Sequence, residues 1–371
     1  MKVKLKIDLP IEADSFDNSL DWLGSQLFAV KGGDGKICVV DAATGKILWE
    51  LENCFVGVNG LCIGDNDAVY VAREQGAKRF ITAHKRDTGE EIWNCYLSTS
   101  SSQFCSPLTQ NEKYIFHTNT SQIYVVDKFS GKVANKFKVA YKDVEDGIRV
   151  VLPWDDKVLY PGWIESGKGK TKQTSLVLSL YDPLNKDNAF IEDIITIKGR
   201  YGVLHSELAG ENLLFFLVED AIVRIIDLGT KQTVFEHDFV PNGDQTMHGY
   251  REGYMSQINA NGDKLHFVVM ATDTERNEDD DFVSHKNFST LNISKKTLEN
   301  KEIASVGSFD HYYYDGNLVY TGYNTFKPED PKHKTEIKLD SEGEILLMNV
   351  IDGKFYLLQE NEDETSFLVL E

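Results

Sequence analysis

Eight times along this chain, a turn rich in Asp, Asn or Gly runs into a short apolar strand. The sharpest copies begin Asp155-Asp156-Lys157-Val158-Leu159-Tyr160, Gly262-Asp263-Lys264-Leu265, Asp315-Gly316-Asn317-Leu318 and Asp352-Gly353-Lys354-Phe355, and looser ones start at Gln26, Asp67, Lys113 and Asn212. The anchors at 26, 67, 113, 157, 212, 264, 317 and 354 are spaced by 41, 46, 44, 55, 52, 53 and 37 residues. From 354 through the C-terminus and back to 26 the step is 43, one more typical repeat. A period of about 40 to 50 residues marks a repeat architecture. No segment keeps a helical period, and turn residues punctuate short apolar runs throughout, so each unit reads as strands. The expectation is an all-β closed β-propeller of eight four-stranded blades, with seven the alternative count, in a single domain spanning 1–371. The last unit, Ile345 to Leu370, holds only three strands, while Val3 to Leu9 is one strand with no partner of its own. Pairing them completes the last blade and removes two sheet edges. In blade seven, residues 324–340 depart from the pattern, because Pro328 and Pro331 interrupt the expected third strand.

A second signal sits on the other hairpin of each unit. Val39-Val40-Asp41-Ala42-Ala43-Thr44-Gly45-Lys46-Ile47-Leu48-Trp49 and Lys85-Arg86-Asp87-Thr88-Gly89-Glu90-Glu91-Ile92-Trp93 both contain Thr-Gly with Trp four residues after the glycine. A third copy, Val125-Val126-Asp127-Lys128-Phe129-Ser130-Gly131-Lys132-Val133, has Asn135 at the Trp position, and Ile225-Ile226-Asp227-Leu228-Gly229-Thr230 is a weaker echo. Each reads as strand, tight turn, strand, with glycine supplying positive φ and Trp covering a neighbouring sheet. The Asp-x-x-Thr-Gly-x-x-x-Trp segment resembles the repeat of the quinoprotein alcohol dehydrogenase-like (PQQ-like repeat) β-propeller superfamily. That superfamily holds quinone-dependent dehydrogenases and also non-catalytic members, among them a propeller lipoprotein of the outer-membrane assembly machinery. The dehydrogenases are similar to one another in a vicinal Cys-Cys pair over the cofactor and in acidic and amide calcium ligands. This chain has no adjacent cysteines, so the resemblance implies a non-catalytic member with no cofactor.

Charge narrows the partners. With 39 basic and 59 acidic residues the net charge is −20. A surface of that sign repels phosphate backbones and anionic bilayers, so neither nucleic acid nor membrane is the expected partner. A protein partner is expected, and a basic one suits the charge. The N-terminal Met1-Lys2-Val3-Lys4-Leu5-Lys6 alternates and does not read as a secretory leader. Five cysteines, Cys38, Cys54, Cys62, Cys95 and Cys105, form no CxxC pair and no disulfide framework, which suits reduced thiols in a cytoplasm.

Chemistry-bearing groups are sparse. The histidines never fall at HxH or HExxH spacing, so no metal site is expected. The acidic run Asp273 to Asp281 lacks the glycine and terminal Glu of a calcium loop and reads as a solvated loop. Extended loops are expected between the second and third strands of blades four, six and seven, at Glu165 to Thr174, Thr272 to Phe282 and Asn324 to Lys334, with the blade-to-blade loop Pro241 to Tyr250 on the same face. Loops on a rigid scaffold commonly carry recognition. A separate constellation, Arg149, Arg200, Tyr201, His205, Arg251, Tyr254 and His311, precedes or begins the inner strands of blades four to seven. Converging at one mouth of a central channel, guanidinium forks and tyrosines can hold a carboxylate or phosphate. Blade-to-blade salt bridges are the alternative role for these residues. Two functions follow: a non-catalytic protein-binding scaffold using the loop-bearing face, and, as the alternative, a small-anion binder or hydrolase- or lyase-type enzyme at the channel mouth.

Overall fold

The computed structural model describes residues 3–12, 19–54, 62–99, 107–119, 122–143, 150–167, 173–198, 203–209, 212–217, 222–239, 254–261, 264–276, 282–303, 311–314, 317–322, 325–328, 337–338, 343–351, 354–361 and 364–370. Among them there is no helix, and the strands form eight antiparallel sheets, numbered here 1 to 8 along the chain. The second strands start at Leu27, Ala68, Tyr114, Lys157, Asn212, Lys264, Asn317 and Lys354, each within one residue of an anchor read from the sequence.

The apolar runs have no polar alternation because these strands are covered on both faces. In sheet 1, Phe28, Val30, Cys38 and Val40 pack with Tyr356, Leu358, Phe367 and Val369 of sheet 8. The intervening Ala29, Ile37 and Val39 pack instead with Val69 and Val71 of sheet 2. Similar layers join sheet 2 to 3, 3 to 4, and 4 to 5. The core is therefore a series of layers between neighbouring sheets. The first strands of sheets 4, 5, 6 and 7 lie beside one another in chain order.

Sheet 8 is assembled from both ends of the chain. Its three C-terminal strands, Glu344–Ile351, Lys354–Asn361 and Glu364–Leu370, take Val3–Leu9 as the fourth, with Ile7 opposite Phe367 and Leu9 opposite Thr365. The Asn349 side chain then donates 2.8 Å to the Leu20 carbonyl of sheet 1.

The structure fills in one point the sequence leaves open and corrects the expected loops. Sheet 7 has a third strand, Thr325–Pro328, whose Thr325 pairs with Gly322 and which ends on Pro328 opposite Val319. Proline is tolerated there because, among the described residues, only Thr325 and Phe326 pair with the fourth strand, so Pro328 has an edge position on that side. Of the loop expected from Asn324 to Lys334, residues 325–328 are therefore strand, and the others lie outside the described residues. In sheet 4, Glu165 and Thr174 are paired strand residues, and in sheet 6 the second strand continues to Arg276. The ends of both expected loops are thus paired strand, and residues 168–172 and 277–281 lie outside the described residues. The loop Pro241 to Tyr250 lies outside the described residues.

Candidate functional site

The most completely defined polar constellation is the one the repeat motif builds at sheet-to-sheet joints. In sheet 1, Asp41 closes its turn by accepting from the Ala43 amide at 2.8 Å and the Thr44 hydroxyl at 2.8 Å. Asp127 does the same with the amide and hydroxyl of Ser130, at 2.8 and 2.7 Å, and Asp227 with those of Thr230, at 2.7 and 2.9 Å. This is the Asx-turn geometry that makes Asp and Asn frequent in turns. Trp49 lies across sheet 2 and its indole donates 3.0 Å to the Arg86 carbonyl, and Trp93 donates 2.9 Å to Lys128 in sheet 3. Asn135, standing where Trp is absent, keeps the bond by donating 3.0 Å to the Pro183 carbonyl of sheet 4. Gly89 and Gly131 are the landing points. A Cβ on either would lie 2.5 Å from the facing indole, and their φ angles are +69° and +64°. At the last joint the N-terminal strand supplies Leu5, whose methyl lies 2.6 Å from a Cβ position on Gly45.

A cationic residue one position past the turn's opening residue adds a second tie. Arg86 donates to the Gly24 carbonyl of sheet 1 at 2.6 Å and to the Asp65 carbonyl of its own sheet. Lys128, buried in sheet 3, pairs with the Asp65 carboxylate of sheet 2 at 2.7 Å, donates to the Asn111 carbonyl, and lies 5.4 Å from the Tyr70 ring centroid. The readable signal for both was their shared repeat position, with Ala42 and Leu228 as its uncharged counterparts. Burial pushes the Asp65 carboxyl up, but Lys128, the amides of Asp67 and Ala68 and the Tyr70 hydroxyl together hold it below the usual carboxylate range. A depressed folded-state pKa means stability that is present above the unfolded value and lost as pH falls through the folded one. Asp65→Asn is therefore expected to cost about 2 kcal/mol or more at neutral pH, because a buried ammonium loses its counter-charge. The gap from the native chain should close below about pH 4, which urea melts of both proteins across pH 3 to 7 would show.

Two recesses flank these joints. A groove of about 720 Å³ between sheets 1 and 2 is lined by turn residues including Gln26, Asp41, Asp67, Lys85 and Arg86. Its Arg86 guanidinium is held by backbone carbonyls and its Asp41 carboxylate by the turn, so its chemistry is structural. A smaller recess of about 460 Å³, at the opposite end of the strands, includes Asp34, Glu52, Cys54 and Glu74. Burial pushes the Cys38 and Cys54 thiols up to about 12 and Cys95 to about 11, so none of the three is a thiolate nucleophile at neutral pH.

Of the residues expected at the channel mouth, Arg149, Arg200, Tyr201 and Arg251 lie outside the described residues. His205, Tyr254 and His311 fall on the first strands of sheets 5, 6 and 7, opposite Phe216, Met270 and Tyr320. Those strands are neighbours and the three positions sit near their starts, so one end of adjacent strands carries all three. The first strand of sheet 4 is split into Lys142–Asp143 and Leu152–Trp154, both paired with Lys157–Ser166. Arg149 lies between the two halves in sequence, outside the described residues.

No curated protein matches the sequence. The family model described as outer membrane protein assembly factor BamB matches residues 16–151. Among solved structures, BamB from Moraxella catarrhalis is similar with a TM-score of 0.58 at 12% identity, covering 100% of this chain and 99% of that one. Quinohemoprotein alcohol dehydrogenase from Comamonas testosteroni has a TM-score of 0.59 at 10% identity, covering 99% and 76%. The C-terminal WD40 domain of Sif2 has 0.59 at 14%, covering 99% of each chain. Identities this low speak to fold. Together with the Trp-to-glycine joints they give the chain a propeller fold, and over residues 16–151 its repeats are similar to those of the matching family model.

Proposed function

We propose that the chain closes into one ring of eight blades over residues 1–371 and serves as a non-catalytic, cytoplasmic protein-binding scaffold. The observation that carries this is a one-sided elaboration. The second and third strands of blade 6 are 13 and 11 residues long and those of blade 4 are 10 and 9, against 5 and 5 in blade 1. In a four-stranded meander all second-to-third connections leave by the same end, so both long hairpins project from one face. The matching family model is that of an assembly factor, and a WD40 domain shares the architecture. The repeat signature supplies joints between blades, which leaves binding to the hairpins. A net charge of −20 suits a basic partner. The four described cysteines are buried free thiols, as a reducing compartment allows.

Cutting both hairpins to two-residue turns, without loss of thermal stability, is expected to remove the proteins that co-purify with the native chain from its own host, as identified by mass spectrometry. Undiminished recovery of those proteins would end this reading. One observation favours a second reading, an anion site at the channel mouth: His205, Tyr254 and His311 share one end of adjacent inner strands. Arg200→Ala and Arg251→Ala would then abolish phosphate binding at unchanged stability.

A further inference from the structure

We infer that the outer edge of blade 3 is a docking site for an extended, acidic segment of a partner protein that carries an apolar residue beside its carboxylates. From Lys128 to Lys142 the chain holds five lysines and no Asp or Glu, in a molecule of net charge −20. Lys128 is committed to Asp65, but Lys132, Lys136 and Lys138 are exposed, and none of them has an ion-pair partner among the described residues. Lys136 and Lys138 lie on the fourth strand, Val133–Lys138, opposite Tyr124 and Gln122 of the third. Residues two apart on a strand share a face at about 7 Å, which is also the spacing of alternate side chains on an extended peptide.

Charge on an edge strand is a common device against aggregation, and lysine serves it well. Carboxylates serve it equally, and this protein uses them. Every other fourth strand longer than two residues contains at least one Asp or Glu, as in Glu91–Thr99, Phe190–Lys198 and Gln232–Asp238. Edge protection therefore does not account for the sign at blade 3. The overall negative charge does not cancel the patch either, because exposed charges beyond about 8 Å are largely screened at physiological ionic strength.

The apolar half of the site is at the end of the same strand. Phe129 is 78% exposed and Val133 is 37% exposed. Phe129 is held out by a fixed turn: Asp127 accepts from Ser130, the Gly131 amide donates to the Asp127 carbonyl at 2.9 Å, and Trp93 grips the Lys128 carbonyl. The Asp127 carboxylate, in the turn that precedes the strand, accepts from the Ser130 amide and hydroxyl. A preorganised aromatic beside unpaired cations binds with little ordering cost. This edge is separate from the projecting hairpins, and Phe129 stands at the opposite end of the blade from them.

The test uses the full chain and a fluorescein-labelled ten-residue peptide alternating Glu with Val and ending in Phe, followed by fluorescence anisotropy at low salt. Saturable binding is expected, weakened about tenfold or more by Lys136→Glu/Lys138→Glu and severalfold by Phe129→Ser, with melting temperatures unchanged. The chain with both hairpins trimmed should bind as the native chain does, so this inference and the hairpin reading fail separately. Absence of saturable binding, equal affinity in the Lys136→Glu/Lys138→Glu protein, or tighter binding of an oligothymidine of equal charge would each overturn it.

Discussion

Trp49→Ala is expected to destabilise the propeller by about 3–5 kcal/mol, the range for truncating a large buried aromatic. The indole is 8% exposed, belongs to the layer between blades 1 and 2, stacks 5.5 Å from His84 and donates to the Arg86 carbonyl. Its loss opens a void and leaves a carbonyl short of a donor. Gly89→Ala should cost about 2–4 kcal/mol, since a left-handed backbone disfavours a side chain and the new methyl meets the indole at 2.5 Å. The two effects share one contact. The double variant should therefore lose measurably less than the two single losses added together, because removing the indole makes room for the methyl. Urea denaturation of the four proteins in that cycle supplies the coupling. Strict additivity would mean that Trp49 and Gly89 do not bear on one another.

Removing the chain through Ile11 is expected to have the larger practical consequence, a chain that aggregates rather than a merely weaker one. Ile7, Leu9 and Ile11 are buried among Phe28, Leu358 and Phe367, and each contributes about 1.5–3 kcal/mol by burial. Their loss also bares the Glu364–Leu370 edge, a run of buried apolar residues with open backbone groups. Light scattering during expression and refolding would register it, and a synthetic peptide spanning Val3 to Ile11 added in excess should restore a monomeric species. A soluble truncated chain with native stability would show that the N-terminal strand is dispensable. Ile7→Ala is the gentler probe, with an expected cost of about 2–4 kcal/mol in the intact chain.

The repeat was legible because its physics is local. A hairpin needs turn residues at a fixed place, so Asp155-Asp156 and Asp352-Gly353 announce the strands that follow. An inner strand buried on both faces needs an unbroken apolar run, so Val69-Tyr70-Val71 and Leu357-Leu358 read as strands without alternation. The pairing of Val3–Leu9 with Glu364–Leu370 was also legible, through the missing fourth strand of the last unit. Whether blade 7 has its third strand is left open by the sequence, because Pro328 and Pro331 fall where that strand is expected; Pro328 in fact closes a strand that begins three residues earlier. The hairpins of blades 4 and 6 were misread as loops because Glu165, Ser166 and Thr174 are polar; strands projecting beyond a core need no apolar residues. The ties made by Arg86 and Lys128 escaped notice for a different reason. Their shared repeat position was readable, but their partners, backbone carbonyls and a carboxylate on another blade, lie far off in sequence and are not.

Uniting Val3 with Leu370 in one sheet also fixes the order in which the molecule can be finished. During synthesis, blade 1 emerges with one face already coverable by blade 2. Its other face, Phe28, Val30, Cys38 and Val40, has Ile7, Leu9 and Ile11 at hand but lacks Tyr356, Leu358, Phe367 and Val369 until the chain's last strands are made. For most of translation the nascent chain therefore carries an uncovered apolar face and a lone N-terminal strand. Contacts between residues so far apart in sequence form slowly, because loop closure must precede any gain from them. That face is completed only once the strands from Glu344 to Leu370 have been made.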